Sequence, residues 1–162
     1  MTVKMSSGLM EAMLTSLKSA TGETFNDAVL YLFGGSQPAT ANATEASNTL
    51  LCVISVDGGT FTPGSATNGL SFDVVSSNTT TMKSSMAKTA SETWQGTAIA
   101  DGTITWGRLY DNDRVQGAST SAIRLDGTAS TVSTADFVLS TVNAVTGVDI
   151  VVTSFNLSFQ SN

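Results

Sequence analysis

The chain has 162 residues, a net charge of −6 and a sequence pI of about 4.3, a length that fits one domain. Its seven Lys and Arg residues are spread singly, which excludes a basic patch for nucleic acid or for an anionic membrane surface. Charged residues make up 12% of the chain, with 22 Ser and 25 Thr in their place, whereas ~25% charged is usual. We therefore expect a hydroxyl-rich surface that is easily desolvated against a protein partner.

Residues 1–22 are predicted to form an N-terminal arm with one amphipathic helix. Four apolar side chains recur at helical spacing, and Gly22 stands where a helix end favours glycine. These apolar residues are Leu9, Met13, Leu14 and Leu17. Because a single helix cannot form a core by itself, we expect it to dock on the β domain of its own chain or on a neighbouring subunit.

From residue 23 to residue 162 the apolar residues follow the period of β-strands. Nine candidate strands are separated by Gly, Pro, Asn and Asp turn signals. They span residues 28–33, 49–55, 70–75, 80–83, 93–100, 103–110, 121–126, 136–142 and 148–159. The predicted fold class is mainly β: an antiparallel β-sandwich, jelly-roll-like, over residues 23–162, with one N-terminal amphipathic helix before it. The polar run 39–48 is either a mobile excursion or an interface arm.

The clearest turn signal is Asp101-Gly102, which stands between two alternating segments. It predicts a type I′ hairpin joining residues 93–100 to residues 103–110, because both turn positions need a positive φ.

Three side chains of this predicted hairpin are candidates for core or contact roles. The register places Trp94 and Trp106 on opposite faces. Trp106 is expected in the core, whereas Trp94 is either core or an exposed anchor for a partner. Arg108, on the Trp106 face, either fixes a loop or a subunit contact or lies at the surface on an apolar stem.

Residue types that carry enzymatic chemistry are scarce. The chain has no His, which excludes Ser-His-Asp and Cys-His systems and His-containing metal sites. Cys52 lies in an apolar run and is expected to be a buried, inert thiol. The segment Asp111-Asn112-Asp113 begins like a calcium loop, but Val115 stands at the fifth position, so a solvated turn is expected instead. We predict a non-enzymatic protein with no catalytic residues, no metal and no cofactor.

Several short motifs follow one another along the chain in a characteristic order. After the amphipathic opening come LYLFGGSQP at 30–38, LLCVI at 50–54, WQGTA at 94–98 and GTITWGRL at 102–109. This order resembles a group of small tailed-phage structural proteins, similar to capsid decoration (cement) proteins with a sandwich body. The resemblance implies a homo-oligomer, with a trimer favoured, that sits on the outside of the head lattice and binds the major capsid protein or other virion proteins. It brings no catalytic residues with it.

The predicted function is therefore that of a virion structural protein that stabilises the phage head. Residues 1–7 lack the apolar core of a signal peptide, so the protein is expected to be made in the host cytoplasm. The predicted subunit or partner contacts are Leu9, Met13, Leu14, Leu17, Trp94 and Arg108. Two alternatives remain open: a tail, neck or baseplate component, and a carbohydrate-binding or adhesin module with exposed aromatic side chains or a calcium loop.

Overall fold

The computed structural model of the chain describes residues 13–15, 25 and 27–160. Residues 13–15 are helical. The remainder of the predicted helix, with Leu9 and Leu17, lies outside the described residues, as does the predicted domain boundary between residues 22 and 23.

The predicted mainly β fold class is confirmed. The described residues form eleven strands, several of them shorter than the predicted ones. The strands are β1 (Val29–Gly34), β2 (Thr49–Val56), β3 (Ser76–Asn78), β4 (Lys83–Ala87), β5 (Trp94–Thr97), β6 (Gly102–Thr103), β7 (Trp106–Tyr110), β8 (Arg124–Ser130), β9 (Phe137–Leu139), β10 (Asn143–Ala144) and β11 (Asp149–Gln160).

Seven of these strands close into one barrel-like sheet. Their order is β11-β5-β2-β1-β7-β8-β9, and β9 pairs back onto β11. Neighbours in this ring are antiparallel, apart from β8 and β9, which run parallel. The two separate sheets of the predicted jelly-roll-like sandwich are not confirmed, since closure joins all seven strands through backbone hydrogen bonds.

The main core fills the interior of this barrel. Along β1, Leu30 and Leu32 belong to the interior cluster, whereas Tyr31 and Phe33 belong to a second cluster on the outer face. This alternation follows from the period of two in a strand. Every strand of the ring contributes to the interior, through Leu30, Leu32, Cys52, Ile54, Trp94, Leu109, Ala129, Phe137, Leu139, Ile150, Val152 and Phe155.

Strand β11 keeps its apolar side chains inside by means of a β-bulge. Ile150 and Val152 are fully buried in the interior, and Phe155 is buried there too. These positions do not share one alternation, and the pairing of β11 with β9 shifts register between Val152 and Ser154. One extra residue at the bulge inverts the alternation, so even-numbered positions point inward before it and odd-numbered positions after it.

A second apolar layer covers the outer face of β1 and β7. It contains Val29, Tyr31, Phe33, Trp106 and Tyr110, all of them buried. The rings of Phe33 and Trp106 stack with their centroids 4.6 Å apart. All five residues of β7 are buried, which shows that this side of the barrel is covered on both faces.

The hairpin predicted at Asp101-Gly102 is wrong. Strand β5 pairs with β2 and β11, whereas β7 pairs with β1 and β8. The Asp101 carboxylate instead accepts hydrogen bonds from the backbone N–H and the hydroxyl of Thr146, at 2.7 and 2.8 Å. Pairing with distant strands replaces the predicted hairpin because it gives both β5 and β7 two neighbouring strands. Trp94 and Trp106 still lie on opposite faces, Trp94 in the interior cluster and Trp106 in the outer one.

Strands β3 and β4 extend the sheet beyond the barrel. The first residues of β11, from Asp149, pair with β5, and its last residues, to Gln160, pair with β4. Strand β3 pairs with β4 and is exposed along its length. The extension therefore lies at the end of β11 opposite to Asp149. No helix in the part of the chain that the structure describes is long and apolar enough to cross a membrane.

Candidate functional site

Trp94 lies in the interior core, so the exposed setting considered for it is not found. Its side chain is fully buried. The indole N–H donates to Glu92 Oε2 at 3.0 Å, and the ring packs edge-on against Phe72 and stacks with Phe155. A side chain held in this way cannot reach a partner surface without unfolding of the barrel.

Two of the four predicted helix contacts lie within the described residues. Leu14 is fully buried and belongs to the barrel's own core cluster. Met13 is 40% exposed. Of the two docking modes considered for this segment, Leu14 follows the one in which the segment packs on its own chain.

Arg108 stands at the centre of a buried ion network on the outer face. Its side chain is 0% exposed and makes a bidentate pair with Asp126, with Nε–Oδ1 and Nη2–Oδ2 distances of 2.6 and 2.7 Å. Its Nη1 donates to Glu45 Oε2 and to the carbonyl oxygen of Ala43, both at 3.0 Å. The guanidinium lies 5.5 Å from the Trp106 ring centroid, within cation–π range. Arg108 therefore fixes a loop, one of the roles considered for it.

This network ties down the polar run 39–48. Glu45 is 8% exposed, and its other oxygen accepts the Gly117 backbone N–H at 3.1 Å. Asn48 Oδ1 accepts the Trp106 indole N–H at 3.2 Å. Burial raises the pKa of the Glu45 carboxyl, but hydrogen bonds to the carboxylate, that from Gly117 foremost, and the Arg108 charge together lower the pKa below its ordinary value. The run is fastened to the barrel at both of these residues.

All three arginines of the chain pack on aromatic rings of this outer layer. Besides Arg108, the guanidinium of Arg114 lies 5.8 Å from the Tyr31 ring centroid and that of Arg124 lies 5.8 Å from the Tyr110 ring centroid. Arg114 also donates to the Tyr31 hydroxyl at 2.5 Å, and Arg124 to the Gly117 carbonyl at 2.6 Å. Arginine on this face thus fastens loops onto the barrel instead of forming a basic surface.

Three exposed aliphatic side chains lie on two neighbouring segments at the end of the barrel where β11 begins; we call this group the apolar end. It consists of Ile99, Val145 and Val148, which are 56, 49 and 50% exposed. The backbone brings the two segments together, since Ala98 N–H donates to the Val148 carbonyl and Gly147 N–H to the Ala98 carbonyl, both at 2.9 Å. Sequence analysis missed this group, because the residues are distant in the chain and look like ordinary strand positions.

The Asp101 carboxylate cross-links the two segments of the apolar end. Its two hydrogen bonds from Thr146 connect the segment after β5 to the turn before β11, and they lower the pKa of Asp101. A surface fixed in this way can be buried against a partner with little loss of conformational entropy.

The groups considered for catalysis or metal binding lie in structural positions. Cys52 is fully buried, and burial raises the pKa of its thiol to about 12. The turn after β7 is closed by the Arg114 N–H on the Asp111 carbonyl at 3.2 Å, and Asn112 Nδ2 donates to the carbonyls of Asp27 and Ser65. Within residues 13–15, 25 and 27–160 no three His, Cys, Asp or Glu side chains are grouped to hold a metal ion.

Comparisons of this chain with protein-family models, with curated proteins and with solved structures found no match. The likeness to phage decoration proteins stays a prediction carried by the sequence motifs.

Proposed function

We propose that this chain is a virion structural protein that decorates a tailed-phage head and stabilises its lattice. The observation that carries the proposal is the apolar end, where Ile99, Val145 and Val148 stand half exposed on a hydrogen-bonded framework. Exposed aliphatic side chains on neighbouring segments can form the contiguous apolar patches that mark protein contact sites. The low charged fraction of the chain, 12%, is consistent with a broad and easily desolvated contact.

The major capsid protein is the proposed partner of the apolar end, with further contacts between copies of this chain, a trimer being favoured. A subunit that binds the assembled lattice better than the free capsid subunits stabilises the lattice by that difference in affinity. Repetition of the contact over many equivalent sites multiplies the effect. Such a role needs a stable platform and no catalytic group.

Two finer predictions also stay proposals. The first is that the β domain is a jelly-roll-like sandwich preceded by an amphipathic helix. The second is that Leu9 and Leu17 make contacts with a partner. The alternative position in the virion is the tail, neck or baseplate, where the same platform would serve.

Mass spectrometry of purified virions, with copy numbers estimated against the major capsid protein, tests the proposal. We expect hundreds of copies per particle. About six to twelve copies would place the chain in the neck or baseplate, and its absence from the particle would overturn the proposal.

The apolar end can be tested separately with one charge substitution. Ile99→Asp should weaken binding to particles that lack the protein by about tenfold or more, because a carboxylate would be buried against the partner. Val74→Asp is the matched control, since Val74 is 81% exposed and lies in the segment that leads to β3. Cosedimentation of each purified variant with the particles gives the measurement. Equal binding of both variants would exclude the apolar end as the contact.

A further inference from the structure

A cavity of about 340 Å³ lies on the outer face of the barrel beside β2 and β5. Its floor includes Val53 and Ser55 of β2 with Gly96 and Thr97 of β5, and Phe61 from the loop after β2 forms part of its wall. The volume falls in the range of small-molecule sites, about 300–1,000 Å³. Neither the ion network of Arg108 nor the apolar end includes these residues.

Strands β2 and β5 approach each other closely beside the cavity. Their register contains Ser55 with Gln95, and a further bridge joins Cys52 to Ala98. Between these two points lies Gly96, where a Cβ atom would come within 1.9 Å of the Val53 carbonyl oxygen. Only glycine fits there, so the close contact of the two strands beside the cavity is fixed by the backbone.

The loop that walls the cavity is held in place before any ligand binds. The Ser55 hydroxyl donates to the Gly59 carbonyl at 2.5 Å. Asn68 Nδ2 donates to the Thr60 carbonyl at 2.9 Å. Phe61 packs against the outer apolar layer. The cavity is therefore preorganised, which lowers the entropic cost of binding.

The lining selects for a neutral ligand that brings hydrogen-bond donors. Among the described residues that line the cavity, none is charged. The hydroxyl protons of Ser55 and Thr97 are already donated, to the Gly59 carbonyl and to Asp149 Oδ1 at 2.7 Å. Because a hydroxyl has one proton and two lone pairs, both oxygens retain acceptor capacity. The half-buried Phe61 adds an aromatic surface for the apolar face of a ring.

From this geometry we propose that the cavity binds one sugar residue of a neutral glycan. A pyranose ring supplies several hydroxyl donors and an apolar C–H face, and it carries no charge that the lining would leave unpaired. This binding activity goes beyond the proposed head-stabilising role and does not depend on it.

Titration of the full-length protein with neutral saccharides, followed by NMR chemical shifts, tests the proposal. The probes are glucose, galactose, mannose and N-acetylglucosamine and their common disaccharides, up to about 20 mM, in the millimolar range typical of weak ligands. We expect at least one probe to shift the signals of Thr60, Phe61 and Thr97 in a saturable way.

Two substitutions locate the site. Phe61→Ala removes the aromatic wall, and Thr97→Val removes one acceptor while keeping the shape of the side chain. Each should weaken binding about tenfold or more. Thr103→Val is the matched control, because Thr103 is also an exposed strand threonine but lies in β6, away from the cavity; it should bind as the unmodified protein does. Thermal melts identify any variant that has lost its fold.

Two results would overturn the proposal. The first is the absence of a saturable shift with every saccharide. The second is binding that Thr97→Val, in a folded protein, leaves unchanged.

Discussion

Arg108 shows how one side chain joins parts of the chain that are far apart in sequence. It forms ion pairs with Asp126 on the neighbouring strand β8 and with Glu45 in the loop before β2, and the side chains of Arg108, Asp126 and Glu45 are 0, 5 and 10% exposed. Buried charges of this kind are stable only as a complete set, since each loses its hydration on folding. The network therefore sets the position of the loop more than it adds net stability.

Replacement of Arg108 alone should strongly destabilise the fold. Arg108→Met leaves Asp126 and Glu45 buried without their cation, and we expect the free energy of unfolding to fall by about 3–5 kcal/mol. Urea denaturation measures the change. Arg124→Met is the control, because Arg124 packs on Tyr110 and has no carboxylate ion pair in the described part of the chain. The free energy of unfolding should fall clearly less in this variant than in Arg108→Met.

The triple variant Arg108→Met, Glu45→Gln, Asp126→Leu separates charge imbalance from packing. It should recover a large part of the stability that Arg108→Met loses, since no uncompensated charge remains. Failure of this rescue would mean that Arg108 acts through its packing on Trp106.

At the scale of elements, the short helical stretch at residues 13–15 packs into the barrel through Leu14. One residue earlier, Met13 is 40% exposed. Adjacent residues of a helix point in directions about 100° apart. Leu14 therefore lies on the buried face of this turn, and Met13 lies on its exposed face. This placement distinguishes a docked segment from a free arm.

Leu14→Ala should lower the free energy of unfolding by about 2–5 kcal/mol, as expected when a fully buried leucine leaves a cavity. Met13→Ala should cost less than about 1 kcal/mol, because Met13 loses less buried surface. Thermal or urea melts of both variants, with dichroism as the signal, make the comparison. Equal and small losses would show that the segment does not contribute to the core in solution.

At the scale of the whole molecule, the run 39–48 is held on the barrel by the ionised carboxylate of Glu45. The free energy of unfolding should therefore depend on pH. The pKa of Glu45 is lowered in the folded state from its ordinary value of 4.5. A carboxyl with a lowered pKa adds stability above its unfolded pKa and loses it as the pH falls through the folded pKa. Burial acts in the other direction on Asp27 and Asp111, whose pKa values are raised, so the total pH profile is not due to Glu45 alone.

The contribution of Glu45 can be isolated by comparison with Glu45→Gln. The unmodified protein should be the more stable of the two at pH 7, and the difference should shrink as the pH falls below about 4.5. Urea denaturation at pH values from 7 to about 3 measures it. A difference that stays constant over this range would show that Glu45 acts through shape instead of charge.

Period-two alternation in the sequence was sufficient to predict a mainly β chain, the approximate positions of most strands and the burial of Cys52 and Trp106. These features follow from local pattern and side-chain polarity. The pattern did not predict which strands pair with each other. The turn predicted at Asp101-Gly102 does not form a hairpin, because β5 and β7 each pair with two strands that are distant in the sequence.

Only the tertiary structure decided which side chains reach solvent. Trp94, a candidate contact, is buried because β5 lies between β2 and β11 and presents it to the interior. Ile99, Val145 and Val148 are exposed on neighbouring segments because hydrogen bonds bring two distant turns together. The cavity beside Gly96 lies where two strands that are not consecutive in the chain approach each other closely. Such features depend on strand closure and register, which join residues far apart in sequence and leave no local signal.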